Sequence, residues 1–339
     1  MSKRLIIFIC LFFVMAIAMA QQEENVPRPK VGLVLGGGGA KGAAEIGVLK
    51  VIESAGIPID YIAGTSIGSI VGGLYANGYT ASQLEELFTS QQWISLIADQ
   101  QSHLSRTPYH VEDGVTYIFG IPVSRKKSKH KDTNFGALKG DNILAVLDSL
   151  TGYQGDKVNF DTLKIPFRCV AADIMGEKEV VLSKGSLPRS MRASMAIPGA
   201  FKPVVINKVK LIDGGTYNNL PVDVVKDMGA EIVIAIDLSQ DQDEGGLDDK
   251  LPIKLSDLAD KDKPGLVDHI IKWIGERPDI VKYNETVKMA DLVINPKLGG
   301  YGVTSFSHKA MVDMIDMGIK AAEAQWDDLI ALKKRIYNE

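Results

Sequence analysis

Residues 59–68 read IDYIAGTSIG, and this stretch of the 339-residue chain indicates the fold class. The apolar run Ile59 to Ala63 has the character of a buried strand, and a helix-like segment follows the turn. A strand, a Gly-x-Ser-x-Gly turn and a helix form the context that exposes a nucleophilic serine at a strained corner. Gly64 and Gly68 fit this turn because bulkier residues would collide with crossing backbone. The stretch predicts a nucleophile at Ser66, although a serine that only caps a helix has the same local pattern.

The segment before this turn has the same strand-to-helix arrangement. An apolar strand is predicted over Val31 to Leu35, and Gly36 to Gly39 end it abruptly. Helical periodicity follows from Ala40 to Ala55, with Gly56 as a stop signal. Consecutive strand–helix units of this kind predict parallel strands joined by right-handed crossovers, and therefore an α/β fold.

Further apolar runs extend the predicted sheet. Fully buried strands are predicted over Phe167 to Asp173 and Glu231 to Asp237, and a shorter strand, Val209 to Ile212, leads directly into Asp213. Leu187 to Ala196 is a helix candidate. The sequence also predicts helices over residues 81–90, 141–150, within 265–290 and within 307–336, with a strand at 292–295.

The glycine-rich loop supports three interpretations. Residues 37–42, Gly-Gly-Gly-Ala-Lys-Gly, match G-x-G-x-x-G between a strand and a helix, which is one signature of dinucleotide binding, and Asp60 lies near the spacing expected for a ribose contact. A P-loop is excluded because Ala43 stands where Lys and Ser or Thr are required. The third interpretation is an oxyanion hole, in which N–H groups at a helix start converge on a negative oxygen. Lys41 would add positive charge there or lie exposed. The loop by itself does not decide among these interpretations.

A nucleophilic serine needs a positioned base. No histidine follows an apolar strand at a sharp turn, and a surface role is expected for all five: His103, His110, His130, His269 and His308. Of these, His308 stays open as an alternative base. Asp213 ends a strand, and Gly214 and Gly215 would make a tight turn that holds its carboxylate at the sheet edge. An apolar environment would raise the basicity of that carboxylate. Asp173 and Asp237 also end strands, so spacing alone leaves three candidate carboxylates.

Three motifs stand in order: the glycine-rich loop at 37–42, the turn at 64–68 and Asp213-Gly214-Gly215. This combination resembles the patatin-like phospholipase family. The similarity covers about residues 31–237 and includes two further segments, AAEIGVLK at 43–50 and ASMAIPGAF at 193–201. Residues 44–45 read Ala-Glu where many members have a small residue and His, and we expect this departure to be harmless.

The resemblance implies a three-layer α/β/α fold with a mostly parallel central sheet, and hydrolysis of a phospholipid or another fatty-acyl ester without a metal or other cofactor. It implies Ser66 as the nucleophile and Asp213 as the base, in a dyad without His. It also implies oxyanion N–H groups from three glycines, beside a basic residue at the family's Arg or Lys position: Gly37, Gly38, Gly39 and Lys41. The remaining motif glycines would support these turns: Gly42, Gly64, Gly68, Gly214 and Gly215.

The N-terminus has the pattern of a secretory signal peptide. Two basic residues precede the apolar run Leu5 to Ile17, and Ala18-Met19-Ala20 offers small residues where a signal peptidase reads. We expect cleavage after Ala20 and a periplasmic or secreted protein, because the run is short for a bilayer span. The predicted organisation is a signal peptide at 1–20, a flexible leader at 21–30 and a single hydrolase domain with C-terminal helices at 31–339.

Charge and cysteine content indicate which kinds of partner and environment suit this protein. The net charge of −4 gives no reason to expect a nucleic-acid partner. Arg125 to Lys131 is a dense basic run that fits a solvated loop or contact with anionic head groups, so peripheral membrane contact is compatible with the sequence. Cys169 lies in an apolar run and is expected in the core. Two alternatives to a lipid acyl hydrolase stay open: a dinucleotide-binding protein and a catalytically silent lipid-binding module.

Overall fold

The computed structural model describes residues 27–90, 93–97, 109–112, 115–118, 121–122, 136–152, 157–173, 175–239 and 278–338. The predicted signal peptide, most of the predicted leader and the basic run at 125–131 lie outside these residues, as do His103, His130 and His269. The predicted division of the chain therefore stays a prediction.

The main sheet has eight strands in the part of the chain that the structure describes. They are β1 Val31–Leu35, β2 Tyr61–Thr65, β3 Phe167–Asp173, β4 Lys178–Leu182, β5 Val204–Ile206, β6 Val209–Asp213, β7 Ile232–Ile236 and β8 Leu292–Ile294. Short strands outside this sheet are Tyr109–Glu112, Val115–Ile118, Ile121–Pro122, Gly136–Leu138, Val158–Asn159, Lys184–Gly185 and Gly199–Phe201. The helices are α1 Ala43–Ala55, α2 Ile67–Asn77, α3 Ala81–Ser90, α4 Trp93–Ile97, α5 Asp141–Thr151, α6 Leu187–Ser194, α7 Val222–Asp227, α8 Pro278–Thr286, α9 His308–Glu323 and α10 Trp326–Tyr337.

The strand order is β5-β6-β3-β2-β1-β7-β8, and β4 also pairs with β3. The five strands from β3 to β8 in this order pair in parallel. Both β4 and β6 run antiparallel to β3, and β5 runs antiparallel to β6. The predicted α/β class with a mostly parallel central sheet is confirmed.

Helices cover both faces of this sheet. Side chains alternate along β1, so Leu33 and Leu35 join a large apolar cluster that includes Ile46 of α1. Val34 points to the opposite face and joins a smaller cluster with Val225 of α7. Two apolar layers separated by the sheet give the three-layer arrangement that the resemblance implied.

Two of the element boundaries that differ from those predicted lie beside the candidate motifs. The strand predicted at Ile59 to Ala63 lies two residues later, as β2, because its ladder to β3 continues up to Thr65 opposite Val170. The helix predicted from Ala40 begins at Ala43, after a 3-10 turn that contains most of the glycine-rich loop. The first shift extends β2 up to the residue before Ser66, and the second leaves the glycine-rich loop outside α1.

Strands β2 and β6 meet end to end beside β3. β2 runs parallel to β3 and pairs up to Thr65, opposite Val170, whereas β6 runs antiparallel and pairs up to Asp213, opposite Ala171. β4 occupies the other edge of β3 along residues 169–173, so β2 and β6 share one edge. The carboxyl ends of two oppositely directed strands therefore face each other across neighbouring residues of β3. This arrangement positions the candidate site.

Candidate active site

Ser66 occupies the strained corner between β2 and α2. Its φ is 54° and its ψ is −122°, a conformation that costs a non-glycine residue about 1–3 kcal/mol. A Cβ added at Gly64 would lie 2.3 Å from the carbonyl oxygen of Gly68, and one added at Gly68 would lie 2.4 Å from that of Leu35. Both neighbouring positions therefore require glycine, and the sharp turn predicted around Ser66 is present.

Asp213 lies directly against the Ser66 hydroxyl. Ser66 Oγ donates a hydrogen bond of 2.6 Å to Asp213 Oδ2, and the Gly215 N–H donates one of 2.8 Å to Asp213 Oδ1. Both side chains are buried, each belonging to a residue that is 6% exposed. Burial raises the pKa of Asp213 to about 6, while the two hydrogen bonds oppose that rise. The carboxylate is thus more basic than an exposed aspartate and is still ionised at neutral pH.

Glycine is also required at position 214, because this residue lies against the backbone of β3. A Cβ there would be 2.2 Å from the Val170 carbonyl oxygen. At Gly215 the corresponding distances are 2.5 Å to Asn219 Oδ1 and 3.0 Å to Asp213 Oδ1. The two glycines let the chain turn within contact distance of the carboxylate, as the sequence predicted.

The glycine-rich loop lies beside Ser66, but its N–H groups are not equivalent. A Cβ on Gly37 would be 3.2 Å from Ser66 Cβ, and the Gly37 N–H donates a 3.0 Å hydrogen bond to the Asn219 carbonyl. Gly37 is therefore not a free oxyanion donor, which corrects the expectation for this residue. Within the described residues the N–H groups of Gly38 and Gly39 have no hydrogen-bond partner. These two remain candidates for stabilising an oxyanion.

Lys41 and Gly42 have supporting positions in this loop. Lys41 Nζ donates a 2.6 Å hydrogen bond to the carbonyl of Leu238, which ties the loop to the segment after β7. A Cβ on Gly42 would lie 2.3 Å from the Ile67 side chain, so this glycine allows α1 to begin close to the serine turn. A direct role for Lys41 at the oxyanion stays a prediction.

Two polar residues that the sequence did not single out hold the site together. Ser194, at the end of α6, accepts a 2.8 Å hydrogen bond from the Ser66 N–H through its Oγ. Asn219 accepts from the Gly37 N–H and donates from Nδ2 to the Gly37 carbonyl at 3.2 Å. Ser194 lies within the segment 193–201 that carries the family resemblance, which is the signal that could have identified it.

The rival carboxylates are engaged elsewhere. Asp237 Oδ2 accepts from the Tyr283 hydroxyl at 2.7 Å and from Asn295 Nδ2 at 3.2 Å. Asp173 Oδ1 accepts from the Gly176 N–H at 3.0 Å in the turn that follows β3. Neither is the hydrogen-bond partner of the serine hydroxyl, so the structure selects one of the three strand-end aspartates.

Asp60 does not lie near the glycine-rich loop. Its carboxylate pairs with Arg28 and Lys30 and accepts a 2.9 Å hydrogen bond from the Val31 N–H, at the amino end of β1. The glycine-rich loop follows the carboxyl end of the same strand. The ribose contact suggested by the spacing is therefore wrong, and the dinucleotide interpretation loses its acidic residue.

The other residues that the sequence singled out occupy several different places in the described part of the chain. His308 Nδ1 is 2.9 Å from the Thr89 carbonyl oxygen, and His110 lies in the short strand Tyr109–Glu112. Cys169 is fully buried, as predicted, and burial raises its pKa to about 12. Glu45, where the sequence departs from the family pattern, is also fully buried, and burial raises its pKa well above the ordinary range.

Two further properties bear on the class of site. No group of three or more His, Cys, Asp or Glu residues suited to a metal ion occurs among the residues that the structure describes. Over the same residues, no helix combines the length and the apolar character that crossing a membrane requires.

Comparison with known proteins identifies the family. The patatin-like phospholipase model matches residues 33–226. Patatin-like phospholipase domain-containing protein 6 of Mus musculus is 36% identical over 215 residues, covering 62% of this chain and 14% of that protein. Lysophospholipase NTE1 of Candida albicans is 31% identical over 235 residues, covering 67% of this chain and 14% of that protein. The chain thus spans about a seventh of the length of these relatives.

A solved structure supports the fold independently. VipD from Legionella pneumophila aligns with a TM-score of 0.51 at 13% identity, covering 89% of this chain and 67% of that one. At this identity the likeness concerns the fold alone. The family match, by contrast, spans all three motifs that surround Ser66 and Asp213. The chain belongs to the patatin-like phospholipase family.

Proposed function

We propose that this protein is a serine-dependent lipid acyl hydrolase that acts through a Ser66–Asp213 dyad. The observation that carries the proposal is the 2.6 Å hydrogen bond from Ser66 Oγ to a buried carboxylate that ends a strand 147 residues away. The base is more basic than an ordinary aspartate because its pKa is raised to about 6. A buried serine–carboxylate pair at a strained turn is suited to nucleophilic catalysis.

The reaction proceeds as a two-step acyl transfer. Asp213 Oδ2 takes the hydroxyl proton while Ser66 Oγ attacks the acyl carbonyl carbon, whose oxygen becomes negative. The N–H groups of Gly38 and Gly39 face this oxygen, and the amino end of α2 adds a favourable dipole. Collapse of the tetrahedral adduct expels the alcohol, which takes the proton from Asp213. Water then attacks the acyl-enzyme, gives a proton to Asp213, and the fatty acid leaves as Ser66 Oγ regains that proton.

Phospholipids and lysophospholipids are the proposed substrates. The family name and the name of the Candida albicans relative both refer to phospholipid hydrolysis, which supports this class. Peripheral contact with a lipid surface is part of the proposal. Ile197 is 40% exposed and follows Ala196, whose carbonyl accepts a hydrogen bond from the Asp213 N–H. Val303 is 51% exposed, and its carbonyl accepts a hydrogen bond from the Ala40 N–H in the glycine-rich loop. Apolar side chains thus flank the site where a fatty-acyl chain would enter.

Export is a separate proposal that rests on residues 1–20. A basic start, a short apolar run and Ala18-Met19-Ala20 together favour cleavage after Ala20. N-terminal sequencing of the protein purified from the extracytoplasmic fraction should begin at Gln21. A chain that retains residues 1–20 would contradict cleavage after Ala20, and one that stays in the cytoplasm would contradict export, and neither result would affect the catalytic proposal.

Covalent labelling tests the catalytic proposal. A fluorophosphonate should label the wild type and leave Ser66→Ala unlabelled, because the probe traps the nucleophilic oxygen. A chromogenic acyl ester should turn over only in the wild type, and lipid mass spectrometry of mixed phospholipids identifies the bond cleaved. Lipid binding without turnover would instead support the catalytically silent module.

A further inference from the structure

The sheet brings the ends of β2 and β6 together, but Ser66 itself lies just beyond its strand pairing. The pairing of β2 with β3 ends at Thr65, opposite Val170. The pairing of β6 with β3 ends at Asp213, opposite Ala171, which is the next residue of β3. The gap between the strand ends is spanned by residues 194–196, which follow the last turn of α6. Ser194 Oγ accepts from the Ser66 N–H at 2.8 Å, and the Ala196 carbonyl accepts from the Asp213 N–H at 3.0 Å. One short segment therefore contacts the backbone of both dyad residues.

Ser194 is also tied to the strand beneath the dyad. Its Oγ donates a 2.5 Å hydrogen bond to the carbonyl of Val170, the β3 residue opposite the last residue of β2. Ser194 is fully buried, so no solvent can replace the contacts that its hydroxyl makes with the Ser66 N–H and the Val170 carbonyl. The hydroxyl thus connects β3, the serine turn and the end of α6 at a single point.

The Ser66 N–H depends on Ser194 Oγ as its hydrogen-bond acceptor. It is the first N–H of the serine turn, where a helix start leaves donors without intrahelical partners. The residue is held at a φ of 54°, which only surrounding contacts can maintain. An alanine at position 194 would leave this buried N–H without its partner, and relaxation of the turn would move Oγ away from Asp213 Oδ2.

We infer that Ser194 is a positioning residue, which fixes the backbone of Ser66 so that its hydroxyl stays within hydrogen-bond distance of Asp213. This inference rests on the proposed function and assigns a role in it to a residue that touches neither substrate nor the reacting atoms. Since a misplacement of about 1 Å can cost on the order of 100-fold in rate, the effect should appear in kcat. Substrate binding depends on other residues, so KM should change little.

The same helix provides a matched control. Ser190 lies one turn before Ser194 on α6, is 1% exposed, and donates from Oγ to the Ser186 carbonyl at 2.9 Å. Ser190→Ala therefore removes a buried hydroxyl and one hydrogen bond without touching the dyad. We expect Ser194→Ala to lower kcat about 100-fold and Ser190→Ala to keep it within about threefold of wild type.

The acid limb of the pH–rate profile separates positioning from simple loss of stability. The hydrogen bond from Ser66 lowers the pKa of Asp213, so its loss should move the midpoint of the limb above its wild-type value of about 6. Ser190→Ala should leave that midpoint in place. Ser194→Cys keeps the side-chain volume but accepts hydrogen bonds only weakly, so its kcat should also fall well below wild type.

The outcomes are distinguishable. Correct folding of each variant is checked by circular dichroism and thermal melting, and Ser194→Cys provides the measurement if Ser194→Ala does not fold. Equal kcat values for Ser194→Ala and Ser190→Ala, an unmoved acid limb, or full activity of Ser194→Cys would overturn the positioning role while the wild type stays active. A wild type that turns over no acyl ester would overturn the proposed function itself.

Discussion

Replacing Asp213 by Asn tests how much the buried, ionised carboxylate lowers the free energy of unfolding. Burial raises the pKa of Asp213 from its ordinary value of 3.8 to about 6, so the folded state holds this proton more tightly than the unfolded chain. At about 1.4 kcal/mol per pKa unit, the ionised carboxylate lowers the free energy of unfolding by about 3 kcal/mol. Asn has nearly the same shape and no charge. Asp213→Asn should therefore be inactive, yet more stable than wild type by roughly 3 kcal/mol at about pH 8.

The sign of the effect determines its pH dependence. At about pH 3 both states of the wild type hold the proton, so wild type and variant should differ little. As the pH rises from about 4 to about 6 the unfolded chain loses its proton first, and the wild type loses stability that the variant keeps. Above about pH 7 the difference should stay constant. Urea unfolding followed by tryptophan fluorescence across this range measures the gap directly.

A second buried aspartate provides the control. Asp237 is 2% exposed and accepts hydrogen bonds from Tyr283, Asn295 and the Ser239 N–H. Asp237→Asn would place an amide N–H₂ against donors, so it should destabilise the protein. The reasoning about Asp213 is refuted if Asp213→Asn is no more stable than wild type near neutral pH, or if the gap does not change between acid and neutral pH.

Three other predictions follow from the same geometry. The kcat/KM of the wild type for a soluble ester should rise about tenfold per pH unit up to about pH 6 and then level off, and a flat profile between about pH 4 and 6 would exclude the dyad carboxylate as the base. Gly39 has a φ of 57°, and a Cβ there would lie 2.5 Å from the Val303 carbonyl oxygen; Gly39→Ala should lower kcat by about 100-fold or more, and a change below about twofold would speak against its oxyanion role. Gly68→Ala should abolish folding or sharply lower the melting temperature, because its Cβ would lie 2.4 Å from the Leu35 carbonyl oxygen, whereas Gly300→Ala, with nothing within 4 Å, should leave it unchanged.

The serine turn was predictable because all its determinants are local. A strand, two glycines and a helix start lie within ten residues, and the steric reason for each glycine involves backbone that any such turn brings together. The general α/β class followed from the alternation of apolar strands with helical segments. The observed strand ends moved by only two residues at β2.

Only the tertiary structure shows which aspartate meets the Ser66 hydroxyl. Three aspartates end apolar strands, and the residues around Asp213 distinguish it from Asp173 and Asp237 only through the family resemblance. The direction of β6 places Asp213 beside Ser66, because an antiparallel strand brings its carboxyl end to face that of β2. Strand direction depends on long-range pairing, which a local pattern does not encode.

The roles of Gly37 and Asp60 were also decided by tertiary contacts. The Gly37 N–H is taken by the Asn219 carbonyl, 182 positions along the chain, and is therefore lost as an oxyanion donor. Asp60 has the spacing of a ribose ligand but lies at the amino end of β1, opposite the loop it was expected to serve. Spacing along the chain does not report which end of a sheet a residue reaches.

By itself, the sequence predicted the serine turn, the glycine-rich loop, the alternation of strands and helices, and through its motifs the family. Only the tertiary structure decided which carboxylate meets Ser66, which loop N–H groups have no partner among the residues it describes, and that Ser194 bridges the two strand ends. The physical reason is the same in each case: sterics and capping act between neighbours in the chain, whereas the hydrogen bonds that complete the site join residues 128 and 147 positions apart. Such pairs form only when the sheet is assembled.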